Sequence, residues 1–200
     1  MESSINKESI VNSFIELSNI LDLVKEDKDF LNEIGKIVST IVESLKKGNK
    51  ILFMGNGGSA GDSQHMAAEF ICRFIKDRDS IPGLALTTDT SVLTAISNDY
   101  GYEKIFSRQI EGLGKKFDTI VAFSTSGNSK NIILGLQKAR ELGLNTIGLT
   151  GQSGGEMSKY CDHILKVPSS DTPRIQELHI LIGHIICEAT EKTFLHKKNG

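Results

Sequence analysis

Residues 50–70 read KILFMGNGGSAGDSQHMAAEF. A short apolar run, Lys50–Gly55, ends in glycine. A turn of glycine and small polar residues follows, and then a segment patterned as a helix. Strand, glycine turn and helix in that order form the opening half of a crossover unit. Four more short apolar runs follow: GLALTT (83–88), DTIVAFST (118–125), NTIGLTG (145–151) and DHILKVPSS (162–170). Most are rich in β-branched or large aliphatic residues. Helical stretches such as SAGDSQHMAAEFICRF (59–74), NIILGLQKARELG (131–143) and RIQELHILIGHIICEATEKTFL (174–195) lie between and after them. Alternation of this kind predicts right-handed crossovers and a parallel sheet covered on both faces. The expected fold is a doubly wound five-stranded parallel α/β sheet flanked by helices, with additional N-terminal helices and a long C-terminal helix.

Upstream, SIVNSFIELSNILDLV (9–24) and DFLNEIGKIVSTIVESLKKGNK (29–50) carry apolar residues at helical spacing and no proline. Their stripes must be buried against the rest of the domain or against another subunit. No linker divides the chain, so residues 1–200 are read as one domain, with helices over 1–48 and the α/β core and C-terminal helix over 49–200. The formal net charge of -2 provides no basic footprint for nucleic acid. Cys72, Cys161 and Cys187 have neither metal-finger spacing nor the pattern of a disulfide framework. No apolar run is long enough for a bilayer and the N-terminus lacks the plan of a secretion signal. A cytoplasmic protein that engages neither membrane nor nucleic acid is expected.

Ligands of open α/β sheets bind beyond the carboxyl ends of the strands. After the first strand, Gly57 and Gly58 let the backbone approach a ligand, and Ser59 is positioned to cap the next helix. The spacing fits neither a Walker loop nor a dinucleotide fingerprint. After the third strand, Ser124, Thr125, Ser126 and Ser129 surround Gly127 and Asn128. Hydroxyls and helix-terminal amides can hold a phosphate without any cation. The glycine turn after the fourth strand, LTGQSGGEMSKYC (149–161), reads as structural.

His65 and Glu69 are four residues apart, about 40° around a helix axis and about 6 Å along it. Such a pair can bind a metal or perform acid/base chemistry, and it is also the geometry of an ordinary solvated pair. The C-terminal helix adds Gln176, Glu177, His179 and His184 among apolar residues that nearly encircle it.

Taken together, GNGGSAGDSQHMAAEF (55–70), LTTDTSVLTAISNDYGYEKIFSRQI (86–110), AFSTSGNSKNI (122–132), GLTGQSGGEM (148–157) and DTPRIQELHILIGHIICEATEK (171–192) resemble the sugar-isomerase (SIS) domain family. The phosphoheptose isomerases are the branch they resemble most specifically, through QHMAAEF and RIQELHILIGH. The resemblance implies conversion of sedoheptulose 7-phosphate to D-glycero-D-manno-heptose 7-phosphate through an enediol. It also implies substrate contacts from Asn56, Gly57, Gly58, Ser59, Asn98, Asp99 and Gln176, and a phosphate loop of Ser124, Thr125, Ser126 and Ser129. One zinc ion (Zn2+) per subunit on His65, Glu69, Gln176 and His184 is implied, with Glu69 and His184 as the acid/base pair and Glu69 also touching substrate. A homotetramer with sites between subunits, serving bacterial heptose synthesis for lipopolysaccharide, capsule or S-layer glycans, completes the expectation. No role carries over to Asp171, Thr172 or Pro173, and His179 is read as core or as a residue behind the ligands.

Gln176 and His184 lie about 12 Å apart along one helix. They reach one metal only by leaning together or by coming from different subunits. A zinc-bound carboxylate is also a weaker base, so Glu69 would alternate between ligand and base. Within the same fold, a non-enzymatic paralogue that binds the replication initiator resembles this chain but lacks counterparts of Glu69 and His184. Isomerases of other phosphosugars form a further alternative.

Overall fold

The computed structural model describes residues 7–196. Two helices, α1 (Lys7–Glu26) and α2 (Lys28–Lys46), precede β1 (Ile51–Gly55) and α3 (Gly58–Ile71). Then come β2 (Gly83–Ala85), α4 (Thr90–Tyr100), α5 (Ile105–Leu113), β3 (Thr119–Ser124), α6 (Lys130–Glu141), β4 (Asn145–Gly151), β5 (His163–Val167) and α7 (Thr172–His196). The sheet is five-stranded in the order β2-β1-β3-β4-β5, with every pairing parallel. This is the doubly wound sheet that the alternation predicts. The NTIGLTG run is a strand over its whole length, whereas GLALTT forms only three strand residues at the sheet edge.

Every residue of β1 and β3 is buried, as a strand sandwiched between helices requires. Side chains alternate between two cores. Ile51, Phe53, Val121, Phe123, Ile147 and Leu149 face α2, α3 and α7. Leu52, Met54, Ile120 and Ala122 face α5 and α6. Each fully buried large aliphatic or aromatic side chain contributes roughly 1.5–3 kcal/mol.

The two leading helices behave differently. Asp27 caps α2 by accepting from the N–H groups of Asp29 and Phe30, both at 3.0 Å. Phe30, Ile34, Ile37, Val38, Ile41, Val42 and Leu45 of α2 are buried. In α1 Ile20 is buried, while Ile10, Val11, Phe14, Ile15 and Leu23 are exposed. The apolar stripe of α1 is therefore not consumed within the chain. No helix among the described residues is long and apolar enough to cross a membrane.

Two elements escape the sequence reading. α4 buries none of its residues and so offers no clear stripe. α5 is a short helix carrying Ile105, Phe106 and Ile110 into the second core. They occupy the long path from β2 back across β1 to β3.

The amino-end of β3 is pinned by Asp118, which is 1% exposed. Its carboxylate accepts from the N–H groups of Lys50 at 3.0 Å and Lys115 at 2.8 Å, and from the Lys50 ammonium. Asp118→Ala leaves two amides without their partner in a buried setting. It is expected to cost about 3 kcal/mol, measurable by urea denaturation.

Candidate active site

The strand order reverses between β1 and β3, so the loops that leave their carboxyl ends stand side by side. In the first loop, Gly57 has φ 56 and is the residue before the first turn of α3. The chain enters α3 at Gly58, one residue before Ser59. Ser59 is thus not the cap expected from the sequence: it sits inside the first turn, 3% exposed, with no side-chain cap bond at that terminus. A Cβ on Gly58 would lie 2.6 Å from Nε2 of Gln176, so only glycine lets the Gln176 amide rest on this loop. Asn56 is held by a reciprocal amide pair with Asn131, 2.9 Å in both directions, and accepts from the Tyr102 hydroxyl at 2.9 Å. Asn131 and Tyr102 are site-building residues that sequence reasoning missed. They lie 75 and 46 positions from Asn56, with no local pattern to mark them.

In the second loop, Gly127 has φ 68, and a Cβ there would collide with the backbone of Gly154. The glycine turn after β4 thus has the structural role read from its sequence, and it also lines the cavity described next, which that reading did not foresee. Ser124 Oγ accepts from the Gly127 N–H at 3.2 Å, lies 3.4 Å from Ser129 Oγ, and is buried. Ser129 occupies the cap position of α6 but makes no side-chain cap bond. Thr125 and Ser126 line a polar cavity of about 260 Å³, with Ser153, Ser169, Ser170 and Thr172 on its other walls. Two of the four expected hydroxyls therefore face this space, and the other two brace the turn. The loops after β4 and β5 and the start of α7 supply hydroxyls that the sequence reading left out. None of the lining residues is charged.

Asn98 and Asp99 lie on the exposed last turn of α4, where Asn98 Nδ2 donates to Asp99 Oδ1 at 2.8 Å. Asp99 lines a separate cavity of about 480 Å³ between α4, β2 and α5. The chain continues from this turn to Tyr102, which reaches Asn56.

The reactive cluster lies where α3 meets α7. His65 Nε2 is 2.9 Å from His184 Nε2 and 3.2 Å from Glu69 Oε1. One potential ligand atom from each of His65, Glu69 and His184 falls within 4.8 Å of the others. Imidazole and carboxylate converging at this distance suit zinc. Gln176, resting on the first loop, is on the same helix as His184. Phe74 packs its ring against His184 with centroids 5.5 Å apart. Asp62, one turn before His65, is half-buried; burial pushes its carboxyl up to about 6, opposed by the charge of His65. A hollow of about 840 Å³ lies at the opposite end of the sheet beside His163, the first residue of β5. It holds a hydrogen-bonded chain of Glu33, His163 and Thr40 that ties α2 to the edge strand.

His179 is fully buried against Phe123, as the core reading expects, and neither ring nitrogen has a hydrogen-bond partner of good geometry. Burial pushes its pKa down to about 4, with the nearby Thr150 backbone opposing in part.

The chain matches the SIS domain family over residues 14–151. The phosphoheptose isomerase of Clostridium acetobutylicum is 51% identical over 175 residues, 88% of this chain and 89% of that protein. Among solved structures, the phosphoheptose isomerase of Neisseria gonorrhoeae superposes with a TM-score of 0.87 at 38% identity, covering 92% of this chain and 98% of that one. That of Francisella tularensis gives 0.88 at 32% identity, covering 92% and 97%.

A histidine neutral in the fold and protonated in the unfolded chain removes stability as pH falls. For His179 the loss runs from about pH 6.5, the unfolded value, down to about 4. His179→Leu abolishes this component. The stability advantage of wild type over variant is expected to shrink by on the order of 3 kcal/mol between pH 7 and pH 4 in urea titrations.

Proposed function

We propose a function on one premise: the chain belongs to the SIS-domain family and, within it, to the phosphoheptose isomerases. It is an aldose–ketose isomerase that converts sedoheptulose 7-phosphate to D-glycero-D-manno-heptose 7-phosphate. The observation that carries this reading is the convergence of His65, Glu69 and His184 where α3 packs on α7, in the fold that also carries the hydroxyl-lined cavity.

The reaction moves a proton between adjacent carbons through an enediol. It needs a base at carbon, a proton relay at oxygen and stabilisation of the developing oxyanion. Thr125, Ser126 and the amides at the start of α6 and α7 receive the phosphate, which fixes the far end of the sugar. Glu69 removes a proton from C1 of the ketose, exchanges with solvent while the enediol is bound, and delivers a proton to C2. His184 moves the proton between the two oxygens. Asn56, braced by Asn131 and Tyr102, and the first-loop backbone hold the sugar hydroxyls, together with Asn98, Asp99 and Gln176. His65, Glu69 and His184 would hold zinc, which would polarise the carbonyl; Gln176, seated against Gly58, would complete the set only from another copy in the assembly proposed below.

The exposed apolar face of α1 supports assembly with further copies of the chain, and we assign a homotetramer working in the cytoplasm. Its product enters the synthesis of nucleotide-activated heptose for surface glycans.

Purified protein is expected to turn over sedoheptulose 7-phosphate to the aldose phosphate, with kcat falling at least tenfold after zinc is stripped and returning when it is restored. Glu69→Gln is expected to lower kcat at least about a hundredfold while leaving the urea midpoint in place. Full turnover by that variant would remove the base role from Glu69.

A further inference from the structure

Between α3 and β2 the backbone runs through an irregular segment, residues 72–82, whose polar groups must find partners outside regular structure. A single carboxylate collects three of them. Glu191, far along α7 and 2% exposed, accepts from the N–H groups of Phe74 at 3.2 Å, Ile75 at 3.1 Å and Lys76 at 2.8 Å. Its fourth partner is Arg78, whose Nε donates at 2.7 Å. Burial alone would raise the Glu191 carboxyl, but these donors outweigh it and hold it below its ordinary range.

Arg78 is equally enclosed, with 2% of its side chain exposed. Its remaining nitrogens donate to three carbonyls: Nη2 to Glu69 at 2.9 Å, and Nη1 to Phe70 and Asp79, both at 3.0 Å. Glu69 and Phe70 lie in the last turn of α3, where carbonyls lack intrahelical partners and a cation is favoured by the helix dipole. The pair thus grips the backbone of Glu69 itself. Through Phe74 it also fixes the ring that packs on His184.

A buried ion pair is a poor source of stability, because apolar residues of similar volume often serve as well or better. What apolar residues cannot supply is six directed hydrogen bonds fanning from one pair into a loop and a helix end. We propose that Arg78 and Glu191 are positioning residues for the reaction. They set the end of α3 so that the Glu69 carboxylate meets His65 and His184, and they hold Phe74 against His184. This rests on the reading of Glu69 given above.

The test combines Arg78→Met with Glu191→Leu in one full-length protein. Three quantities are measured: the urea midpoint, kcat and KM for sedoheptulose 7-phosphate, and affinity for cobalt(II) followed by its visible spectrum. The double variant is expected to have a lower urea midpoint, because three loop amides lose their acceptor, but to remain folded without denaturant, to lose about tenfold or more in kcat and in cobalt affinity, and to change KM by less than about twofold. Unchanged kcat and cobalt affinity would overturn the proposal and leave the pair a fold element only. If the double variant does not fold, Arg78→Lys is decisive, since it keeps the charge pair but cannot fork to both carbonyls. The same losses are expected from it, and wild-type values would overturn the proposal. Should wild type bind cobalt but turn over no sugar phosphate, the isomerase reading fails. The clasp then stands or falls on the cobalt affinities alone.

Discussion

The site depends on how closely α3 approaches α7. At the start of α3, the absence of a side chain on Gly58 leaves the space in which the Gln176 amide rests. In the middle, a Cβ on Gly183 would collide with Met66, so a second glycine allows the helices to touch. At the far end Arg78 and Glu191 join them through a buried pair. His65 and Glu69 lie on the α3 side of this contact and His184 on the other. Separating the helices by the width of one side chain would break the 2.9 Å approach of the two imidazoles. The parallel sheet makes the arrangement possible, since both helices pack on the same face of β1, β3 and β4.

The same economy of charge governs the other end of the site. Its cavity is lined by hydroxyls, amides and glycine backbone, with no lysine or arginine among the lining residues. Amides at helix starts carry a fixed partial charge and need no counter-carboxylate to keep them in place. The titratable groups of the proposed reaction, His65, Glu69 and His184, meet instead at the α3–α7 contact. Under the proposed function, a substrate anchored at one end by dipoles and handled at the other by titratable groups keeps binding and chemistry separate.

How much of this could be read from residues follows from the range of each interaction. The five strands and most helices are legible because their patterns are local: NTIGLTG is a strand from end to end, and the stripe of α2 is buried as its spacing requires. The glycine and serine loops are legible because they interrupt those patterns. Ser59 does not cap α3, contrary to its sequence signal, because the helix begins one residue earlier, at a glycine with no side chain to announce it. Asn131, Tyr102, Arg78 and Glu191 carry no local signal. Each acquires its meaning from a partner brought close by the fold, as when Glu191 meets Arg78 across 113 positions. The placement of Gln176 against Gly58, likewise, is a property of two elements that the chain alone does not show to be neighbours.

The most direct measurement is solvent exchange during isomerisation. Wild-type protein is incubated with sedoheptulose 7-phosphate in deuterium oxide and both sugar phosphates are followed by NMR. The expected result is deuterium at C2 of the aldose and, over repeated turnovers, at C1 of the recovered ketose, with neither signal in Glu69→Gln. Conversion and incorporation undiminished in that variant would contradict an enediol formed by Glu69.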